Sequence, residues 1–256
     1  MILLNEKKVA FIHIPKNGGT SIRAYLNTVD EVVYNESEDT FFVLGDEKFD
    51  KNHITLDMLH ENFKTSFDLI KQYNSFCILR NPRERFYSSI NQYFRLNKDK
   101  MIDECSKQEL NEEISNIIAR LKQLRGKNFP YDIVHFQPQV DYVMLKEKII
   151  IKNLFALEKV ARIEHFVKSN IDENFVMLKK NASAFIKNKI FAKILRLLYS
   201  VFKSVHLSFS ERQISLIKSI LFRNRDVFVE KIYNKSEIDS FIDDYYSKDF
   251  ELIRSL

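Results

Sequence analysis

Apolar residues fall into two rhythms along this chain. One continuous run, KVAFIHI over residues 8–14, stops at Pro15, and a second, SFCIL over residues 75–79, stops at Asn81-Pro82. Short unbroken runs bounded by turn residues predict buried strands of a parallel sheet. Lys148–Ile151 predicts a third apolar strand; the mixed stretch 30–52 predicts a strand of unspecified setting at Thr40–Leu44, before a turn at Gly45-Asp46. Between them the period changes to that of a helix. Ile22, Tyr25, Leu26 and Val29 recur so after Thr20, and Phe86, Ile90 and Tyr93 do so within 83–96. Leu110, Ile114, Ile117, Ile118 and Leu121 do so within 106–124, and helical patterns dominate from Leu157 onward. Strand, loop and helix repeating with crossovers predicts an α/β fold. It would be a parallel sheet flanked by helices, with a helical C-terminal part. We expect one domain over 1–256, with an α/β core over 1–160 and a mostly helical part over 161–256.

Composition narrows the picture. At 45% hydrophobic and 29% charged residues, the chain can bury a core, which excludes global disorder. Glycine and proline number four each, against a usual combined share of ~12%. That scarcity argues against a turn-rich sandwich and makes each Gly and Pro informative. Cys77 and Cys105 form no framework and no CxxC, which points to a reducing compartment. No long uncharged apolar run predicts a membrane span, and MILLNEKK at the start is too short for a secretory signal. A cytoplasmic protein is expected. The net charge of +5 suits an anionic ligand and gives no reason to expect a nucleic-acid partner.

The scarce residues cluster at two loops. The first is His13-Ile14-Pro15-Lys16-Asn17-Gly18-Gly19-Thr20-Ser21. A strand turning sharply into a helix N-terminus aims free N–H groups at one point, which is an anion site. Gly18 and Gly19 allow close backbone approach, Lys16 adds a mobile positive charge, and Thr20 and Ser21 add hydroxyls. The alternative is an ordinary β–α turn. A Walker loop is excluded, because Lys16 precedes the glycines and no Lys-Ser/Thr pair follows them. The second loop is Arg80-Asn81-Pro82-Arg83-Glu84-Arg85-Phe86-Tyr87-Ser88. Arg80 ends a strand and Ser88 lies on the following helix, so guanidinium and hydroxyl can converge on a second phosphate. Two anion sites at neighbouring strand ends imply a ligand with two separated phosphates.

Both loops resemble those of the sulfotransferases that use 3′-phosphoadenylyl sulfate. The first is similar to the 5′-phosphosulfate motif HIPKTGGTS, with Asn17 in place of Thr. The second is similar to the 3′-phosphate motif that begins RDPxERF. The pair looks like the membrane-type carbohydrate sulfotransferases, including the 2-O-sulfotransferases, and their bacterial relatives. Weaker likeness extends through His135-Phe136-Gln137-Pro138-Gln139, Lys180-Asn181-Ala182-Ser183 and Ser247-Lys248-Asp249. The resemblance implies a P-loop-like fold and the donor 3′-phosphoadenylyl sulfate, giving 3′,5′-bisphosphoadenosine as product. Lys16, Asn17, Gly18, Gly19, Thr20 and Ser21 would hold its 5′ end, and Arg80 and Ser88 its 3′-phosphate. It also implies a carbohydrate acceptor. The rival readings are an atypical P-loop kinase and a non-catalytic module for anionic glycans.

Sulfuryl transfer needs a base for the acceptor hydroxyl and a cation at the leaving phosphate. Lys16 suits the second role. Among six histidines, His53 resembles a histidine of the 2-O-sulfotransferases and is taken as the base. His135 is an acceptor-site residue or substitute base, and Gln139 an acceptor-site residue. His13 is expected to pack beneath the first loop. No residue cluster has metal-ligand spacing, so no metal is expected.

Residues 185–205, FIKNKIFAKILRLLYSVFKSV, place apolar residues on one helical face, with Lys189, Lys193, Arg196 and Lys203 opposite. Such a helix docks on a core, or lies on an anionic membrane or glycan.

Overall fold

A computed structural model of the chain describes residues 1–29, 32–33, 41–98, 102–177, 185–186, 222–223 and 231–256. These fall into two units, one of residues 1–178 with 233–256 and one of 179–232.

The first unit is built on five strands. Ile2–Leu4 (β1), Val9–Ile12 (β2), Val32–Val33 (β3), Asn74–Leu79 (β6) and Asn153–Ala156 (β9) lie in the order β3-β1-β2-β6-β9. β2, β6 and β9 are parallel, in a register that pairs Phe11 with Phe76 and Leu79 with Ala156. β1 runs antiparallel to both its neighbours. The opening apolar run is therefore a strand buried inside the sheet. The numbering gap holds Phe41–Leu44 (β4) and Glu47–Asp50 (β5), which form a separate hairpin.

Alternate residues of these strands point to opposite faces, and helices cover both. Leu3, Ala10, Ile12, Cys77 and Leu79 pack against Leu56–Asn62 (α2) and Lys64–Gln72 (α3) through Leu56, Leu59, Phe67 and Ile70. Ile2, Leu4, Val9, Phe11, Phe76 and Ile78 pack against Gly19–Leu26 (α1) and Val160–Asn170 (α6) through Ile22, Leu26, Ile163 and Val167. Two-sided burial explains why β2 and β6 read as unbroken apolar runs. Pro82–Asn97 (α4) follows β6, with Pro82 in its first turn and Asn81 capping the Arg83 and Glu84 N–H groups. Lys107–Gln123 (α5) opens on a capping box of Ser106 and Glu109.

Two expectations need correction. Lys148–Ile151 is not the third parallel strand: Met144–Leu145 (β7) and Lys148–Ile149 (β8) form a small hairpin, in which Ile149 is exposed. The parallel strand is β9, four residues on from β8. It lies at the edge of the described sheet, and Asn153 spends its amide on Asn74 and the Ser75 carbonyl. In the second unit Phe185–Ile186 (β10) pair antiparallel with Phe222–Arg223 (β11), so the predicted helix does not begin at Phe185. The rest of that prediction, residues 187–205, lies outside the described residues. The first unit closes with Lys235–Tyr245 (α7) and Ser247–Arg254 (α8). No described helix is long and apolar enough to cross a membrane.

Candidate active site

The first loop leaves β2 at His13 and turns through two left-handed residues, Lys16 (φ 67°) and Gly18 (φ 75°), before α1 starts at Gly19. Among the described residues no side chain caps α1, and its first turn holds no acidic residue. Its first N–H groups and the positive end of its dipole therefore suit an anion. A methyl at Gly19 would meet His13 Cδ2 at 2.5 Å and Phe11 Cζ at 3.1 Å, and one at Gly18 would meet Leu157 Cδ1 at 2.8 Å. Both glycines thus serve close packing of the loop on its floor. Thr20 is exposed and Ser21 half-buried.

The second loop adjoins the first. Arg80 donates from Nη1 to the Lys16 carbonyl at 3.2 Å, and from Nε and Nη2 to Glu84 Oε2 at 3.1 and 2.9 Å. Lys16 Nζ reaches Gln92 Oε1 on α4 at 3.3 Å. The buried Arg85 donates from Nε to the Pro15 carbonyl at 3.1 Å, tying the root of α4 to the first loop. Ser88 is buried on the same helix.

Three histidines meet beside these loops. The ring centroids of His13 and His53 are 5.0 Å apart, and those of His53 and His135 are 5.5 Å apart. His53 stands in a 3₁₀ turn whose cap is Asp50, the last residue of β5. Its Nδ1 lies 2.7 Å from Asp50 Oδ2. Burial lowers the His53 pKa, although the Asp50 hydrogen bond and charge oppose the change. Burial also pushes Asp50 up, but its bonds to His53 and Asn52 outweigh that and hold it low. Both shifts favour a neutral imidazole on an ionised carboxylate near neutral pH. Burial, then the neighbouring His53, keeps His13 and His135 well below the ordinary histidine value. The Ser89 hydroxyl fixes the His135 segment by donating to its carbonyl at 2.7 Å.

Two expected ligand residues face inward. Gln139 is fully buried, and its side chain bonds Asn17, the Arg80 backbone and Asp249. Its amide is thus engaged inside the fold. The Asn17 side chain is buried too and donates to the Ile78 carbonyl and Gln139 Oε1, both at 2.7 Å. It anchors the loop from below. Sequence reasoning missed Asp50, whose only signal was its position three residues before His53. It also missed Arg85, which reads as part of a solvated helix start.

A family model described as "Sulfotransferase family" matches residues 1–253. No curated protein and no solved structure matches the chain. With nearly its whole length covered, the chain belongs to the sulfotransferase family and is an enzyme of that class.

Proposed function

We propose that this sulfotransferase moves a sulfuryl group from 3′-phosphoadenylyl sulfate to a carbohydrate hydroxyl, with His53 as general base. The observation that carries the reading is the His53–Asp50 pair. Its imidazole lies 5.0 Å from the ring of His13, which sits beneath Gly19 of the first loop.

The two loops suit such a donor. The uncapped start of α1, with Lys16 beside it, fits a 5′-phosphosulfate. Arg80, with Ser88 on the next helix, fits a 3′-phosphate. When bound, the donor supplies a sulfur atom with a phosphate leaving group. The chain's own residues do the rest. Asp50 accepts the His53 Nδ1 proton in hydrogen bonding, which leaves Nε2 with its lone pair. The His53 side chain is 13% exposed. Nε2 takes the hydroxyl proton as the oxygen attacks sulfur in line with the leaving oxygen. The Lys16 ammonium offsets the charge that grows there. His135 lines the acceptor side, where the likeness to carbohydrate sulfotransferases supports a sugar. Cys77 and Cys105 are buried and neither forms a disulfide, in keeping with a reducing cytoplasm.

Thermal stabilisation tests the donor, because a ligand raises the melting point by binding the folded form. We expect stabilisation by 3′,5′-bisphosphoadenosine and none by ATP–Mg²⁺; the reverse pattern would support a kinase. Incubation with radiolabelled donor and a panel of polysaccharides and glycolipids then identifies the acceptor. Label found only in free sulfate would refute the transfer.

A further inference from the structure

The Gln139 side chain joins three segments that are distant in sequence. Its Oε1 accepts from Asn17 Nδ2 at 2.7 Å and from the Arg80 backbone N–H at 2.9 Å. Its Nε2 donates to the Arg80 carbonyl at 2.8 Å and lies 3.4 Å from Asp249 Oδ2. Asp249, on α8, accepts from the Gln139 and Val140 backbone N–H groups, both at 2.9 Å. Gln139, Asn17 and Asp249 are at most 1% exposed, so none of them can touch a ligand.

Position gives these bonds their meaning. Arg80 is the first residue beyond β6, where the ladder to β9 ends at Leu79 and Ala156. Its N–H and C=O need new partners there, and one amide supplies both. Asn17 lies between the two left-handed residues of the first loop. The same amide oxygen therefore fixes the crest of one loop and the root of the other. Its planar geometry sets the distance between them. Replacing it leaves several buried polar groups unpaired at once, the costly case for a buried network.

We infer that Gln139 is a positioning residue that sets the spacing of the two phosphate sites, with Asp249 holding it from the C-terminal helix. This rests on reading the loops as the 5′ and 3′ sites of one donor. A ligand with both phosphates must span the two loops, so its affinity depends on their spacing. A ligand with one phosphate engages one loop and is nearly indifferent to it. A role confined to stability would affect both ligand types alike.

The test is calorimetric binding of 3′,5′-bisphosphoadenosine, adenosine 5′-monophosphate and adenosine 3′-monophosphate to the full chain. Gln139→Glu keeps the shape but, ionised, loses the Nε2 donor. At about pH 8.5 it should bind the bisphosphate about tenfold or more weaker, with smaller changes for either monophosphate. The carboxyl would be buried beside Asp249, which raises its pKa. Lowering the pH to about 6 should therefore protonate it, restore a donor and recover bisphosphate affinity relative to wild type. Asn17→Thr keeps a donor towards Gln139 and should preserve the preference for the bisphosphate; Asn17→Val should reduce it. Equal losses for all three ligands, or a lower melting point with the preference unchanged, overturn the inference. Failure of the wild type to bind the bisphosphate overturns the donor reading itself, and this inference with it.

Discussion

Asp50 holds His53 from three residues away: Oδ2 lies 2.7 Å from Nδ1, while Oδ1 accepts the Asn52 N–H that starts the turn carrying His53. One carboxylate thus shapes the backbone under the imidazole and selects its tautomer. The proposed base is presented by a hairpin and a single 3₁₀ turn.

Asp50→Asn should therefore cut kcat steeply. An amide at this position can donate to Nδ1, which moves the imidazole proton to Nε2 and removes the base. The loss should approach that of His53→Ala, about 100- to 10 000-fold. Affinity for 3′,5′-bisphosphoadenosine should stay near wild type in both variants. Collapse of activity in His135→Ala, with His53→Ala active, would move the base to His135.

The acid limb of kcat/KM follows the free base. Burial lowers the His53 pKa and Asp50 opposes that shift. The midpoint should lie below the ordinary histidine value of about 6.5. Asp50→Ala removes the opposing influence, so it should move the limb to still lower pH, with a lower plateau. A shift to higher pH would show that the limb belongs to another group.

Arg80 tests the second loop. Removing a charged hydrogen-bond partner costs about 1.5–3 kcal/mol. Arg80→Ala should weaken 3′,5′-bisphosphoadenosine accordingly and leave adenosine 5′-monophosphate almost unchanged. The variant should discriminate poorly between them. Equal losses for the two nucleotides would refute the assignment of the 3′-phosphate to Arg80.

What the sequence disclosed follows from which interactions are local. The strands β2 and β6 and the turns after them were legible because buried runs meet scarce Pro and Gly within a few residues. β9 was not, since an edge strand half-covered by neighbours carries Asn153 as readily as Ile, and the more apolar 148–151 drew the assignment away. His13, His53 and His135 could be named one by one, but their meeting depends on tertiary packing that no spacing encodes. Gln139 looked like a ligand residue because a polar side chain in a motif has two uses, and only burial distinguishes them.

Gly19→Ala probes the floor of the first loop. The added methyl would stand 2.5 Å from His13 Cδ2 and 3.1 Å from Phe11 Cζ, and both rings are buried. Neither can give way cheaply, so overpacking should cost about 1–3 kcal/mol in chemical denaturation. Since the His13 ring lies 5.0 Å from that of His53, kcat should fall as well. Gly45→Ala, with nothing within 4 Å of its new methyl, should leave kcat intact. Wild-type stability in Gly19→Ala would mean that the loop backbone moves freely over His13.

Lys16 separates function from stability. Its φ of 67° is left-handed, a conformation that costs a side chain-bearing residue about 1–2 kcal/mol and costs glycine little. A lysine stands there although glycine would fit the backbone better, which is in keeping with the catalytic role proposed for it. Lys16→Gly should accordingly leave the melting point unchanged or raise it. The same variant removes the ammonium beside the leaving oxygen, so kcat should fall about 100- to 1000-fold. Lys16→Ala should lose as much activity with no gain in stability, because alanine retains the strained φ. Thermal melts and turnover of the two variants, measured side by side, check both halves. If Lys16→Gly were less stable than Lys16→Ala, the left-handed φ of residue 16 would not be a source of strain, and the argument from strain would lose its footing.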